Sequence, residues 1–238
     1  MGKWLKIFTV ITGFVMIALG AALMFTNPHT AGELQEGLRT PVLALEFMSG
    51  KEELIRFLDV YDVKQLKFKA WVGNQIDFFF MVFYSLFSVL TGWMMYKETR
   101  VKVLLLCLLF GVMMLTGDAL ENVHIMTMLS IRPDQLQPLF FEQLRFFTWL
   151  KWGSIAAMMC LYAMYFLQGQ WWKKIIGLLL LAAFGLTVTG FLLGGLYLEI
   201  MALSIFVGFI GLFVFSLFWK LSDESEEASA DEMASEVQ

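Results

Sequence analysis

Histidine and cysteine are nearly missing from this chain: it holds two of each among 238 residues. Two histidines give little support to haem or di-metal chemistry. Cys107 and Cys160 both fall inside apolar runs, far apart in sequence. They read as buried thiols, so neither a disulfide framework nor a metal site is indicated. The chain also lacks a nucleophile motif, an H-x-x-x-H pair, a phosphate loop and an internal repeat. Redox and nucleic-acid functions therefore have no support, and no cofactor is expected. Charge is scarce as well, at 16% of residues against 59% hydrophobic, with 24 phenylalanines.

So much apolar surface needs a second solvent to face, and the mean hydropathy is +0.71. Six runs are long enough to cross a hydrocarbon core of roughly 30 Å: 7–25, 75–96, 101–120, 146–167, 175–193 and 198–219. The runs are continuous rather than alternating, which excludes a β-barrel. The expected fold is an all-α polytopic membrane bundle of six transmembrane helices, with an amphipathic helix in the first outer loop.

Basic residues beside the spans set the expected orientation. Lys3, Lys6, Lys97, Arg100, Lys102, Lys173, Lys174 and Lys220 all fall on one side of a six-span chain, so both termini are expected in the cytoplasm. The 27–74 loop mixes six basic with seven acidic residues and competes weakly. Trp4, Trp71, Trp93, Trp171, Trp172 and Trp219 lie near span ends, where interfacial aromatics belong. The apolar run behind Lys3 and Lys6 is longer than a usual signal-peptide core and reads as an uncleaved anchor.

Within the loop, Ser49-Gly50-Lys51-Glu52 fits a capping box. Leu54, Phe57, Leu58 and Tyr61 then recur at i, i+3, i+4 and i+7, the spacing of a short amphipathic helix that either lies on the outer membrane face or caps the bundle. Apolar residues continue past span 3 until Pro133, and Pro138 suits the first turn of the next helix, so a projecting helical hairpin is expected. Gly194-Gly195 marks a tight turn between the last two spans, and Gly190-x-x-x-Gly194 offers a small-residue packing face. After Lys220 the chain has seven acidic residues and no basic ones. The organisation expected is one membrane domain over 1–221 and a disordered, solvated acidic tail over 222–238.

The most informative feature is the set of ionisable residues inside the apolar runs: Asp77, Asp118, Glu121 and Lys151. Each costs several kcal/mol to desolvate and needs a partner, water or a function. Asp118, Glu121 and Asn122 share one helix face, and Thr148, Lys151 and Trp152 repeat that spacing on the next span. At about 1.5 Å per residue, Asp118 and Lys151 both lie roughly 25 Å from the inner boundary, and Asp77 roughly 29 Å. Together with Glu199 at the start of span 6, they form a layer in the outer third of the membrane. His124 neighbours Gly117 and Glu121 on its face, and reads as a hydrogen-bonded structural residue.

Three carboxylates exceed what one lysine requires. Either one is protonated, or the layer holds water, a cation or a cationic ligand. The residues expected to form a ligand-binding or polar network are Asp77, Asp118, Glu121, Asn122, Thr148 and Lys151. A pocket open to the outer leaflet, taking a lipid, a small amphiphile or a cation, fits their depth. A structural network that only fixes helix packing is the alternative. A transporter fits less well because the polar layer is off the midplane. A membrane enzyme would need one carboxylate as base and another as acid.

Four short motifs follow in order: L-A-L-E at 43–46, W-V-G-N-Q-I-D-F at 71–78, D-A-L-E-N at 118–122 and F-T-W-L-K-W at 147–152. Over roughly residues 40–165 the chain resembles a family of uncharacterised bacterial multi-pass inner-membrane proteins. The resemblance implies a bacterial inner membrane, carries no assigned reaction and transfers no functional residue.

Overall fold

A computed structural model describes residues 2–219. The acidic tail expected over 222–238, and Lys220 with it, lie outside the described residues.

Six long helices make the bundle: α1 (Gly2–Thr26), α4 (Val63–Thr99), α5 (Leu106–Ser130), α6 (Pro138–Leu167), α7 (Trp171–Leu193) and α8 (Leu196–Phe218). All six are long and apolar enough to cross a membrane. Two short helices, α2 (Pro41–Glu46) and α3 (Lys51–Phe57), lie in the connection between α1 and α4. Each long helix packs on the next one in sequence, and α8 returns to α1, so the six close into a ring. Large apolar side chains such as Phe14, Phe79, Val112, Leu192 and Leu203 stay exposed around its outside. A surface of that kind is stable against lipid and not against water. The chain is an integral, multi-pass membrane protein.

The interior is filled largely by methionine and aromatic side chains, among them Met94, Met95, Met114, Met158, Met159, Phe87, Tyr162 and Phe215, all nearly inaccessible. Methionine adapts to irregular gaps between crossing helices, which suits a ring of six. Phe166 and Phe215 meet edge to face at 4.8 Å and join α6 to α8.

The helix ends follow local chemistry. Pro138 occupies the first turn of α6, where its missing N–H costs nothing. Gly194 and Gly195 have φ of +65° and +54° and make the α7–α8 turn without a Cβ to strain it. Gly190 packs close to Leu198 and Met201 of α8, whereas nothing approaches Gly194. The small-residue face therefore reduces to Gly190, and Gly194 serves the turn.

Four details differ from the sequence reading. Helix α4 begins at Val63, twelve residues before the apolar run at 75, because Leu66 and Ala70 bury one face while Lys64, Lys67 and Lys69 point elsewhere. At about 1.5 Å per residue it is roughly 55 Å long, well beyond the hydrocarbon core. The cap of α3 uses Glu53 rather than Glu52: Ser49 donates its backbone N–H to Glu53 Oε2 (2.8 Å) and its hydroxyl to Glu53 Oε1 (2.6 Å). Leu54 and Phe57 are buried, but α3 stops at Phe57 and leaves Tyr61 fully exposed. Finally, Trp219, at the end of α8, is buried within the bundle rather than turned outward, and its indole N–H donates to Glu98 Oε2 at 3.0 Å.

Candidate functional site

Lys151 is the hub of the polar layer. It projects from α6 into the bundle and is 5% exposed. Its ammonium donates to Glu121 Oε1 at 2.5 Å. The same Nζ makes ion-pair contacts with Glu46 Oε1 at 3.2 Å and Asp118 Oδ1 at 3.4 Å. It also sits 4.9 Å from the centre of the Trp152 ring. Thr148, one turn earlier, donates to the Glu46 carbonyl at 2.9 Å, and the Trp152 indole donates to Glu46 Oε2 at 3.0 Å. The stripe Thr148-Lys151-Trp152 thus clamps Glu46 by backbone and side chain together.

Helix α5 supplies the facing side. Asp118 and Glu121 turn to Lys151, and the Tyr84 hydroxyl of α4 donates to Asp118 Oδ2 at 2.5 Å. Gly117 allows this approach: a Cβ there would lie 2.7 Å from the Lys151 backbone nitrogen. Asn122 turns to α4, donating from Nδ2 to Asp77 Oδ2 at 2.7 Å. Asn74 donates in turn to the Asn122 carbonyl at 3.0 Å. Asp77 is therefore one residue removed from the lysine and joined to it through α5.

Three carboxylates, those of Glu46, Asp118 and Glu121, contact one lysine, and a fourth, Asp77, joins the network through Asn122. Burial pushes the Glu46 carboxyl above its ordinary range, and the Asp118 charge adds to that against the opposing ammonium of Lys151. Glu121 Oε2 is buried with no hydrogen-bond donor. The cluster is short of positive charge and short of donors.

A small cavity of about 40 Å³ adjoins this network at the end of the bundle that carries α2 and α3. Its polar walls are Asn27, Glu46, Asn74, Asp77 and Asn122, and its apolar walls include Leu23, Val42, Leu45 and Ile125. At roughly 10–15 Å³ per water-sized body, it has room for about three. The expected residues accordingly divide in two. Asp77 and Asn122 face the cavity, while Asp118, Glu121, Thr148 and Lys151 lie in the packed network beside it. Among the described residues, no three His, Cys, Asp or Glu side chains are grouped to share a metal ion.

Four contributors escaped the sequence reading. Glu46 and Asn27 lie outside the spans, where a search for charge inside apolar runs does not look. Asn74 and Tyr84 do carry a signal, since they stand three before and seven after Asp77 on one helix face. His124 donates from Nδ1 to the Leu120 carbonyl at 2.7 Å and packs on Phe140 and Phe147. Glu199 serves the loop rather than the layer. It accepts the backbone N–H groups of Arg39 and Thr40, both at 2.7 Å, and the Thr40 hydroxyl.

No protein-family model, curated protein or solved structure matches the chain.

Proposed function

We propose that this is a protein of a bacterial inner membrane, with both termini in the cytoplasm, whose polar layer receives a small positively charged group from the outer side. The N-terminal turns of α1, and the short connections at that end of the bundle with the helix ends beside them, carry Lys3, Lys6, Lys97, Arg100, Lys102, Lys173 and Lys174. The short connections at the other end, 131–137 and 194–195, carry Arg132 alone. That asymmetry supports the orientation. The bacterial membrane rests on the sequence resemblance.

One observation carries the binding reading: four carboxylates, three buried and Asp77 partly so, against one lysine, beside a cavity lined by Glu46, Asp77 and side-chain amides. A net negative site in low dielectric recruits protons or a cation. At about 40 Å³ the cavity suits an ion or a cationic headgroup better than a whole amphiphile. Native mass spectrometry of the purified protein, with lipidomics on the same sample, tests the reading. Retention of a cationic species by the wild type and its loss from Asp77→Asn is the expected result. A wild type that retains nothing favours the alternative, that the network only fixes packing. The dense burial of Asp118, Glu121 and Lys151 is what speaks for that alternative.

A further inference from the structure

We infer that the cavity is a site for one monovalent metal cation of about sodium size, with Asp77 as the charged ligand and Asn27, Asn74 and Asn122 supplying neutral oxygens. This rests on the reading of the layer as a site for a positive group, and narrows it to one chemistry. The hydrogen bonds assign the donors. Asn122 spends its amide N–H on Asp77, and Asn74 spends its own on the Asn122 carbonyl. Both residues are more than nine-tenths buried and both line the cavity. Each is left with a side-chain oxygen that accepts from nothing among the described residues. Asp77 likewise uses Oδ2 for Asn122 and keeps Oδ1 free of any such donor.

The third amide is held by a close approach. A Cβ on Gly73 would overlap Asn27 Oδ1, so the absence of a side chain there makes room for that oxygen at the wall of the cavity. A hard cation wants oxygens of this kind. The charge selects valence: Glu46, the other carboxylate in the wall, is already engaged by Lys151 and Trp152, which leaves Asp77 as the one wall carboxylate without an ion-pair contact among the described residues. One negative charge among neutral amides balances a monovalent ion, whereas divalent calcium sites draw on more carboxylates. The volume selects size. Room for about three water-sized bodies fits a partly dehydrated ion with its last waters, and is small for an amine with its tail.

Binding of ²²Na⁺ to the purified full-length protein, measured by scintillation proximity with N-methylglucamine holding the ionic strength, tests this. The expected result is saturable binding to the wild type, weakened at least about tenfold in Asp77→Asn and in Gly73→Ala. Glu199→Gln, at the loop clasp, retains it. Asn27→Ala serves as a second wall variant if Gly73→Ala does not fold, and is expected to weaken binding in the same direction. Wild-type protein without saturable sodium binding overturns the inference, as does binding that survives Asp77→Asn. Retention of methylammonium or a cationic lipid in place of sodium overturns the inference and leaves the wider reading standing. Retention of none of them overturns both.

Discussion

Lys151 and Glu46 stand 105 residues apart in sequence and 3.2 Å apart in space, each almost wholly buried. Their contact fastens the short helix α2, which spans nothing, into the polar layer between α5 and α6. An ammonium taken out of water is held there by three carboxylates at once. The first prediction concerns its removal. Lys151→Met leaves these acids unpaired, and is expected to cost about 3–5 kcal/mol. Lys151→Met combined with Glu121→Gln should recover part of that loss, since it removes one uncompensated charge. Unfolding curves in mixed micelles measure both, and equal stability of Lys151→Met and wild type contradicts a buried pair.

Tyr84 gives Asp118 its hydroxyl at 2.5 Å. Tyr84→Phe keeps the ring and removes only the donor, so Asp118 Oδ2 joins the unsatisfied atoms. A loss of about 1–3 kcal/mol is expected in the same unfolding measurement. Ring contacts with Phe80 and Phe209 are untouched by the substitution, so a larger loss would mean the site had rearranged.

Glu199 clasps the 36–40 segment of the first connection onto the α7–α8 turn. Gly37, at φ +82°, lies against Gly195 beneath that clasp, in a place where no Cβ fits. Glu199→Gln keeps one acceptor oxygen, and Glu199→Ala keeps none. Limited trypsin digestion is expected to cut at Arg39 faster in Glu199→Ala than in wild type, with Glu199→Gln intermediate. Identical rates in all three would show that the clasp does not hold the loop.

The Glu53 cap makes a pH prediction. Partial burial raises its carboxyl, but the Ser49 hydroxyl and backbone N–H and the Gln35 amide outweigh that and hold it below the ordinary range. A depressed carboxyl stabilises the fold above its unfolded value of about 4.3, and that contribution is lost as pH falls through the folded value. Amide exchange in α3 should therefore accelerate below about pH 4 in wild type and show no such step in Glu53→Gln. A step of the same size in both would separate α3 stability from Glu53.

Orientation is tested with an impermeant maleimide after replacing Cys107 and Cys160. Glu52→Cys is expected to label from outside intact cells, and Ser225→Cys only after lysis. Labelling of Ser225→Cys from outside overturns the proposed topology.

Much of the bundle was legible because its determinants are local. Hydropathy and length mark six helices, Pro138 starts one and Gly194-Gly195 turns the chain, each through backbone chemistry that needs no partner. Helical spacing alone puts Asp118, Glu121 and Asn122 on one face, and Thr148, Lys151 and Trp152 on another. What the sequence could not supply is what each face meets. Glu46 sits in a six-residue helix outside every apolar run, and only the packing of α2 against α5 and α6 carries it to Lys151. Asn27 follows α1, and it reaches the cavity because Gly73 on α4 leaves room. Trp219 stands at a span end as its sequence position implies, but only the return of α8 to the ring turns it inward onto Glu98. Periodicity reports the direction of a side chain about its own helix axis. The neighbour waiting in that direction is decided by which helices close the ring, through contacts separated by up to 160 residues.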